Sequence, residues 1–327
     1  DSDNDGISDA DEGVVDTDMD GMPDYQDTDS DGDGITDIEE GTNDTDNDGT
    51  PDYLDTDTDG DGKADKISVF ADGLTICTSV LPVKGGCITT DGEEMILLTD
   101  TNGDGKADKR KVIFKGIKLW DTHACVSNLH YGFDGWIYAT VGYSGLEITQ
   151  SSKKHKNKYK SSQGVFRFKQ DGSDFEFIQG TSNNTWGLDL TAEGNIVGST
   201  ANGNPSWYVD MPNRYLKGTG VKPKRTPRAD SKEPFYPLTF DYLQVDVKES
   251  VTAGAGHSIY NASLFPKEWW GQRAFICAPT GKMVVAPRFE TRGAGFKTYG
   301  FENNIYATAD SWSAPVAVEV GPDGAVY

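Results

Sequence analysis

Apolar residues fall along this chain in two regimes. Over residues 1–65 they are sparse and isolated. Ile7, Met22, Ile35 and Thr50 each follow a glycine inside aspartate-rich sequence, Ala64 stands two residues after Gly62, and Pro23-Asp24-Tyr25 is echoed by Pro51-Asp52-Tyr53. From Ile67 onward, short runs alternate with period two or are rich in β-branched and aromatic residues, at 67–70, 95–98, 112–114, 136–138, 164–168, 175–178 and 316–320. Such runs predict strands. Turn signals separate them: Asp91-Gly92, Asp134-Gly135, Asp171-Gly172, Glu193-Gly194 and Asp323-Gly324. No periodic run reaches three helical turns. Asp91 to Asp134 and Thr280 to Asp323 are both separations of 43 residues. Four short strands per unit of that size are the signature of propeller blades. The pattern therefore predicts a mainly β chain: an aspartate-rich arm at 1–65 with too little apolar material for a core, then a β-propeller at 66–327. Ring closure within the chain is left open, and both chain ends read as cuts.

Charge sharpens the division. The chain carries a net charge of -23, yet residues 1–65 hold 26 of its 53 acidic residues and one basic residue, Lys63. The remainder is close to neutral. A run of like charges is either a solvated, disordered tail or a segment folded around cations, and spacing separates the two. The pattern D-x-D-x-D-G-x-x-D occurs at Asp1, Asp3, Asp5, Gly6, Asp9; at Asp16, Asp18, Asp20, Gly21, Asp24; at Asp29, Asp31, Asp33, Gly34, Asp37; at Asp44, Asp46, Asp48, Gly49, Asp52; and at Asp57, Asp59, Asp61, Gly62, Asp65. A sixth copy stands apart at Asp100, Asn102, Asp104, Gly105, Asp108. The first five begin at 1, 16, 29, 44 and 57, which makes a two-loop repeat of 28 residues.

Calcium is a hard cation that takes six to eight oxygens. A loop offering carboxylates at positions 1, 3, 5 and 9, a glycine at 6 for the sharp turn and an acid at 12 wraps them around one point. Position 12 is Glu12, Asp27, Glu40 and Asp55 in the first four copies, and Ser68 and Lys111 in the last two. These residues are the expected calcium ligands. With so few apolar groups, cations must supply the folding energy. Such loops fill at extracellular calcium levels, so the expected location is the cell exterior or surface, or a bacterial periplasm.

Residues 1–65, with DTDMDGMPDYQDTDSDGDGITDIEEG and DTDNDGTPDYLDTDTDGDGKAD, resemble thrombospondin type 3 repeats. That resemblance implies a chain wound around a row of calcium ions, semi-rigid when loaded. From about residue 57, LLTDTNGDGKADKRKVIFKGI, DTHACVSNLHYGFDGWIYATVGYSG, GVFRFKQDGSDFEFIQGTSNNTWGLDL and TAGAGHSIY resemble the bacterial membrane-bound dehydrogenase family, whose propellers are related to pyrroloquinoline-quinone glucose and sorbosone dehydrogenases. The resemblance implies a quinone cofactor, a sugar or alcohol substrate and electron transfer to a cytochrome domain. In that alignment the proton-accepting histidine falls on Ala124 and a conserved-pattern arginine on Asn183. Neither residue supplies that chemistry. His123, one position away and expected on a strand, His257, and Asp121 beside His123 are the remaining catalytic candidates.

Other features bound the reading. Cys77, Cys87, Cys125 and Cys277 form no CxxC motif, and Cys77 and Cys87 are close enough in sequence to bridge a small loop. No apolar run of membrane-spanning length exists. The basic runs 153–160 and 221–228 read as solvated loops rather than nucleic-acid contacts, and either offers a dock for the acidic arm of another copy. Trp186, Trp207, Trp269, Trp270 and Trp312 are blade packing or sugar-stacking residues. The substitutions at Ala124 and Asn183 favour a calcium-dependent structural protein that assembles with copies of itself or attaches to the envelope. The dehydrogenase is the alternative.

Overall fold

The computed structural model describes residues 1–18, 20–47, 49–58, 68–151, 156–229, 236–238, 253–300, 304–321 and 323–327, with the side chains of 150–157 excluded. Two compact units result. One comprises residues 1–73 with 83–87 and 98–109; the other comprises 74–82, 88–97 and 110–327.

The acidic unit is built of loops, and its helices are single turns. α1 (Asp9–Glu12) and α2 (Asp37–Glu40) close the first and third loops, each ended by a glycine of positive φ, Gly13 at +80° and Gly41 at +76°. In the second and fourth loops, 3-10 turns at Asp24–Gln26 and Asp52–Leu54 take their place, each preceded by a proline, Pro23 or Pro51. The 28-residue repeat thus alternates one α-turn loop with one 3-10 loop. Among its described residues the buried apolar side chains include Ile7, Tyr53 and Leu98, and Glu12, Asp24, Asp37 and Asp52 are buried too.

The second unit is a succession of short sheets. β1 (Val80–Val83), β2 (Gly86–Asp91), β3 (Glu94–Thr99) and β4 (Lys109–Lys115) lie in sequential order. β5 (Val126–Tyr131) and β6 (Ile137–Val141) are followed by a separate hairpin, β7 (Leu146–Ser151) and β8 (Lys156–Ser161). β9 (Gly164–Phe168) and β10 (Phe175–Gly180) then complete an antiparallel sheet of order β10-β9-β6-β5. β11 (Thr185–Leu190), β12 (Ile196–Thr200) and β13 (Trp207–Tyr208) make a three-stranded antiparallel sheet. β14 (Ala255–Ile259), β15 (Ala274–Ala278) and β16 (Met283–Val285) pair in order, and β17 (Arg288–Arg292) and β18 (Gly295–Tyr299) form a hairpin before β19 (Asn304–Ala307) joins β16. These antiparallel meanders are the repeating element from which propellers are made.

The first strand of each of three sheets faces its neighbours. Asn128 Nδ2 donates to the Trp186 carbonyl, 3.0 Å, joining β5 to β11. The Ile259 amide donates to Asp189 Oδ2, joining β11 to β14. Gly187 lets β11 approach β14 closely: a Cβ there would stand 2.9 Å from the Gly256 carbonyl oxygen and 2.9 Å from the His257 Cβ. Within the β11–β13 sheet, a Cβ on Gly198 would stand 2.1 Å from the Gly187 carbonyl oxygen and 2.4 Å from Trp207. Aromatic rings fill the layers behind. Phe114 meets Phe168 and Phe175 edge-on at 5.2 and 5.6 Å, and Tyr260 stacks on Phe265 at 4.8 Å. A fully buried phenylalanine contributes about 1.5–3 kcal/mol over an exposed one.

Strands form at 95–98, 112–114, 136–138, 164–168 and 175–178 as the pattern predicts. Two expectations need correcting. Residues 316–320 form no strand: they pair only through the Val320–Val326 bridge and the paired Glu319–Tyr327 amides, and Val316 is exposed. Residues 68–70 form no strand either, while Ile67 lies outside the described residues. No disulfide joins Cys77 to Cys87. No described helix is long and apolar enough to cross a membrane.

Candidate metal centre and a pocket of the sheet unit

The loop geometry follows from a few residues. Position 6 requires left-handed backbone, with φ of +99° at Gly6, +108° at Gly21, +84° at Gly34 and +105° at Gly49. Position 4 does too, which explains Asn4, Gly32 and Asn47 there (φ +69°, +71° and +64°), since asparagine and glycine tolerate that region. These two turns direct positions 1, 3 and 5 inward. Ligand oxygens of Asp1, Asp3 and Asp5, of Asp16, Asp18 and Asp20, and of Asp29, Asp31 and Asp33 each lie within 4.8 Å of one another. Asp5, Glu12 and Asp37 form a further such group.

Within each loop, backbone amides hold one oxygen of a carboxylate and leave the other. Asp5 Oδ1 accepts from the Ile7 amide, Asp20 Oδ1 from Met22 and Asp33 Oδ1 from Ile35. The remaining oxygens include Asp3 Oδ2, Asp5 Oδ2, Asp31 Oδ2, Asp33 Oδ2, Asp16 Oδ1, Asp44 Oδ1 and both oxygens of Glu12 and Glu40, all buried without a hydrogen-bond partner. Burial and the neighbouring carboxylates raise the carboxyls in consequence. Glu12 rises to about 7, with Asp3 and Asp5 the nearest charges, and Glu40 rises to about 8, with Asp31 and Asp33. Asp27 and Asp31 each rise to about 6 for the same reason. Unpaired carboxylates forced together with their free oxygens convergent fit a hard divalent cation.

The position-9 aspartates behave differently. Asp24 takes the Thr17 amide and hydroxyl, both at 2.8 Å; Asp37 takes those of Ser30 at 2.8 and 2.7 Å; Asp52 takes those of Thr45, both at 2.8 Å; and Asp9 takes those of Ser2. They act as clasps across each loop, with both oxygens occupied by hydrogen bonds. Sequence reasoning passed over the partner, although position 2 is a hydroxyl residue in all six copies: Ser2, Thr17, Ser30, Thr45, Thr58 and Thr101.

The fourth to sixth loops are less complete. Asp46 and Asp57 are described and Asp55 accepts from the Asp57 amide, but Asp48, Asp59, Asp61 and Asp65 lie outside the described residues. In the loop at 100–108, Asp100 accepts three backbone amides, Asp104 accepts the Lys106 amide and the Asn102 side chain, and Asp108 clasps Thr101. Asp104 and Asp108 are exposed and Asp100 is half-buried, and the loop satisfies its own acids.

The catalytic candidates of the sheet unit do not converge. His257 is buried, its Nε2 lies 3.0 Å from Ser206 Oγ, and burial pushes it down to about 3, the state of a neutral core imidazole. His123 lies on a 3-10 turn at Thr122–Ala124 rather than on a strand, capped by Asp121 Oδ1, with its ring exposed and its Nδ1 3.7 Å from that carboxylate. His123 lines a pocket of about 510 Å³ at the starts of β5, β11 and β14, together with Thr122, Asn128, Trp186, Gly256 and Glu319. Trp186 Nε1 donates to the His123 carbonyl, 2.8 Å. Trp207 is fully buried, Trp269 packs in the core with Phe265, and Trp312 is exposed. Ala124 is buried, and Asn183 accepts the Asn184 amide.

Pyrroloquinoline quinone is a tricarboxylate and needs cationic partners. The described residues of this pocket include Glu319 but no Lys or Arg. They do not fit that cofactor.

Fold and site together define a mainly β protein with clusters of convergent carboxylates in its acidic loops. Residues 21–327 match the model of a family described as a domain of unknown function (DUF7133), and the chain belongs to that family. No curated protein matches it. Among solved structures, a glucose dehydrogenase is similar at 16% identity over 80% of this chain and 94% of that one, with a TM-score of 0.44. Virginiamycin B lyase from Staphylococcus aureus is similar at 12% identity over 76% and 61%, TM-score 0.40. The PQQ-bound aldose sugar dehydrogenase from Streptomyces coelicolor is similar at 10% identity over 77% and 87%, TM-score 0.30. At these scores and identities, none of them assigns a chemistry to this chain.

Proposed function

We propose that the acidic unit is a calcium-binding module and that the chain works outside the cytosol, where calcium fills loops of this kind. The observation that carries the reading is the set of buried carboxylate oxygens without partners on Asp3, Asp5, Glu12, Asp16, Asp31, Asp33, Glu40 and Asp44. An uncompensated buried carboxylate costs several kcal/mol, so bound cations would strongly stabilise a row of them. The donors are all oxygen, with no Cys or His, which selects calcium or magnesium over softer metals. Glutamates at position 12 with both oxygens free favour calcium, which accepts bidentate ligands in flexible shells. The test is a calcium titration of the full chain by calorimetry against a magnesium background. Saturable binding that survives excess magnesium supports the module, and heats indistinguishable from dilution contradict it.

A second reading concerns the sheet unit: a dehydrogenase-like propeller handling a small neutral, hydroxylated molecule. The pocket beside His123 favours it over a purely structural role, because Trp186, Asn128, Ser127 and Thr122 combine one aromatic with uncharged hydrogen-bonding groups. Tryptophan fluorescence titrated with aldoses tests this reading, with Trp186→Phe as the control. A response that persists unchanged in the variant counts against the pocket.

A further inference from the structure

A second pocket, of about 400 Å³, lies at the opposite ends of the same strands. Its wall is built from residues at the ends of β5, β11 and β14 and from the 319–321 segment: His130, Asp189, Ser258 and Glu319. Asp189 is nine-tenths buried, and its carboxylate is held by the Leu190 amide at 2.6 Å and by the Ile259 amide. His130 Nε2 stands 3.4 Å from Asp189 Oδ1. Glu319 projects from the neighbouring segment, and Asp323 lies at the margin with its oxygens taken by the Ala325 amide and the Tyr327 hydroxyl. No Lys or Arg lines this space among the described residues.

The balance of charge is therefore negative and uncompensated. Burial raises Asp189 to about 6 and raises Glu319, to which the charge of Asp189 adds. Burial holds His130 down, so at neutral pH its ring supplies no countercharge. The rest of the wall mixes polar groups of Ser258, Asn261 and Ser263 with apolar Leu190, Ile259 and the ring of Phe133, which is 77% exposed. A bare metal ion has no use for the apolar part of this wall or for this volume, whereas a molecule with an apolar body and a cationic head uses both.

We propose that this pocket binds a small organic cation, a protonated amine held by Asp189 and Glu319 with its apolar part against Phe133. His130 sits beside the ammonium position as a neutral acceptor and reports on occupancy. The site lies within the sheet unit, at the other ends of the strands that start at the His123 pocket; Glu319 lines both pockets and Phe133 lines this one and not the His123 pocket.

Benzylamine and benzyl alcohol, equal in shape and different in charge, are the probes. The readout is the His130 imidazole resonance of the full, calcium-loaded chain at neutral pH, assigned with His130→Gln. Benzylamine is expected to shift the signal saturably and benzyl alcohol at least about tenfold more weakly, the scale of one charge-assisted hydrogen bond. Glu319→Gln and Phe133→Ala should each weaken benzylamine by about that factor or less while leaving the melting temperature unchanged. Equal responses to the two probes, no response to benzylamine up to millimolar concentration, or wild-type binding in both variants would overturn the proposal. So would a shift produced by calcium alone that benzylamine fails to displace.

Discussion

Replacing Glu40 with glutamine separates the two roles that a crowded carboxylate plays in the acidic unit. Both Glu40 oxygens are buried without partners, and the nearest charges are those of Asp31 and Asp33. Two unit charges at 4 Å are worth about 1 kcal/mol in water-like surroundings, so one carboxylate facing a doubly charged ion is worth about 2 kcal/mol. Loss of that charge should weaken calcium at the third loop by about thirtyfold. Without calcium the effect reverses. Glu40 is held at about 8 against an ordinary value of 4.5, so the folded state binds its proton more tightly than the unfolded state. That contribution to stability is complete below about 4.5 and is lost as pH climbs through about 8. In chelator near pH 8, Glu40→Gln escapes the loss and should melt above wild type, whereas near pH 4.5 the two should coincide. Calorimetry gives both quantities, by titration with calcium and by melting in chelator across that range. Unaltered calcium affinity in the variant, or a lower melting temperature in chelator at high pH, would refute the reasoning.

Three further outcomes follow from the geometry. Ser30→Ala removes the buried hydroxyl that clasps Asp37 and should lower the calcium-loaded stability of the acidic unit by about 1 kcal/mol, read from its melting transition. His257 is held at about 3, so between there and 6.5 the unfolded chain takes up a proton that the folded chain refuses. Denaturant midpoints of the sheet unit should therefore fall as pH drops below 6.5, by up to about 1 kcal/mol per pH unit, and His257→Asn should flatten that slope. Gly198→Ala drives a methyl into the Gly187 carbonyl and Trp207 and should cost about 1–3 kcal/mol, seen as a lowered denaturant midpoint.

Much of the acidic unit is legible from spacing because its structure is local. Position 6 turns where glycine permits it, and the position-12 glutamates close on positions 3 and 5. The position-9 aspartates resisted the same logic because ligand-pattern reasoning counts carboxylates and not their competitors. The hydroxyl at position 2, present in every copy, was the available signal. In the sheet unit, strands with branched or aromatic alternation were recognisable. β11 and β14 were not, since their close approach is bought with Gly187 and Gly256, which interrupt the hydrophobic period. Residues 316–320 show the converse: the alternation is there, but a strand also needs a partner along its length. His130, Asp189 and Glu319 are far apart in sequence and meet only because successive sheets bring their strand ends together, so no motif announces them.

The central claim is that the acidic loops are calcium sites. Equilibrium dialysis of the full chain against about 2 mM calcium, the range of weak extracellular sites, in excess magnesium counts the bound ions directly. The account predicts several ions per chain, with fewer retained in Glu12→Gln and Glu40→Gln. A chain that retains no calcium under those conditions, or whose bound calcium is fully displaced by magnesium, would contradict it.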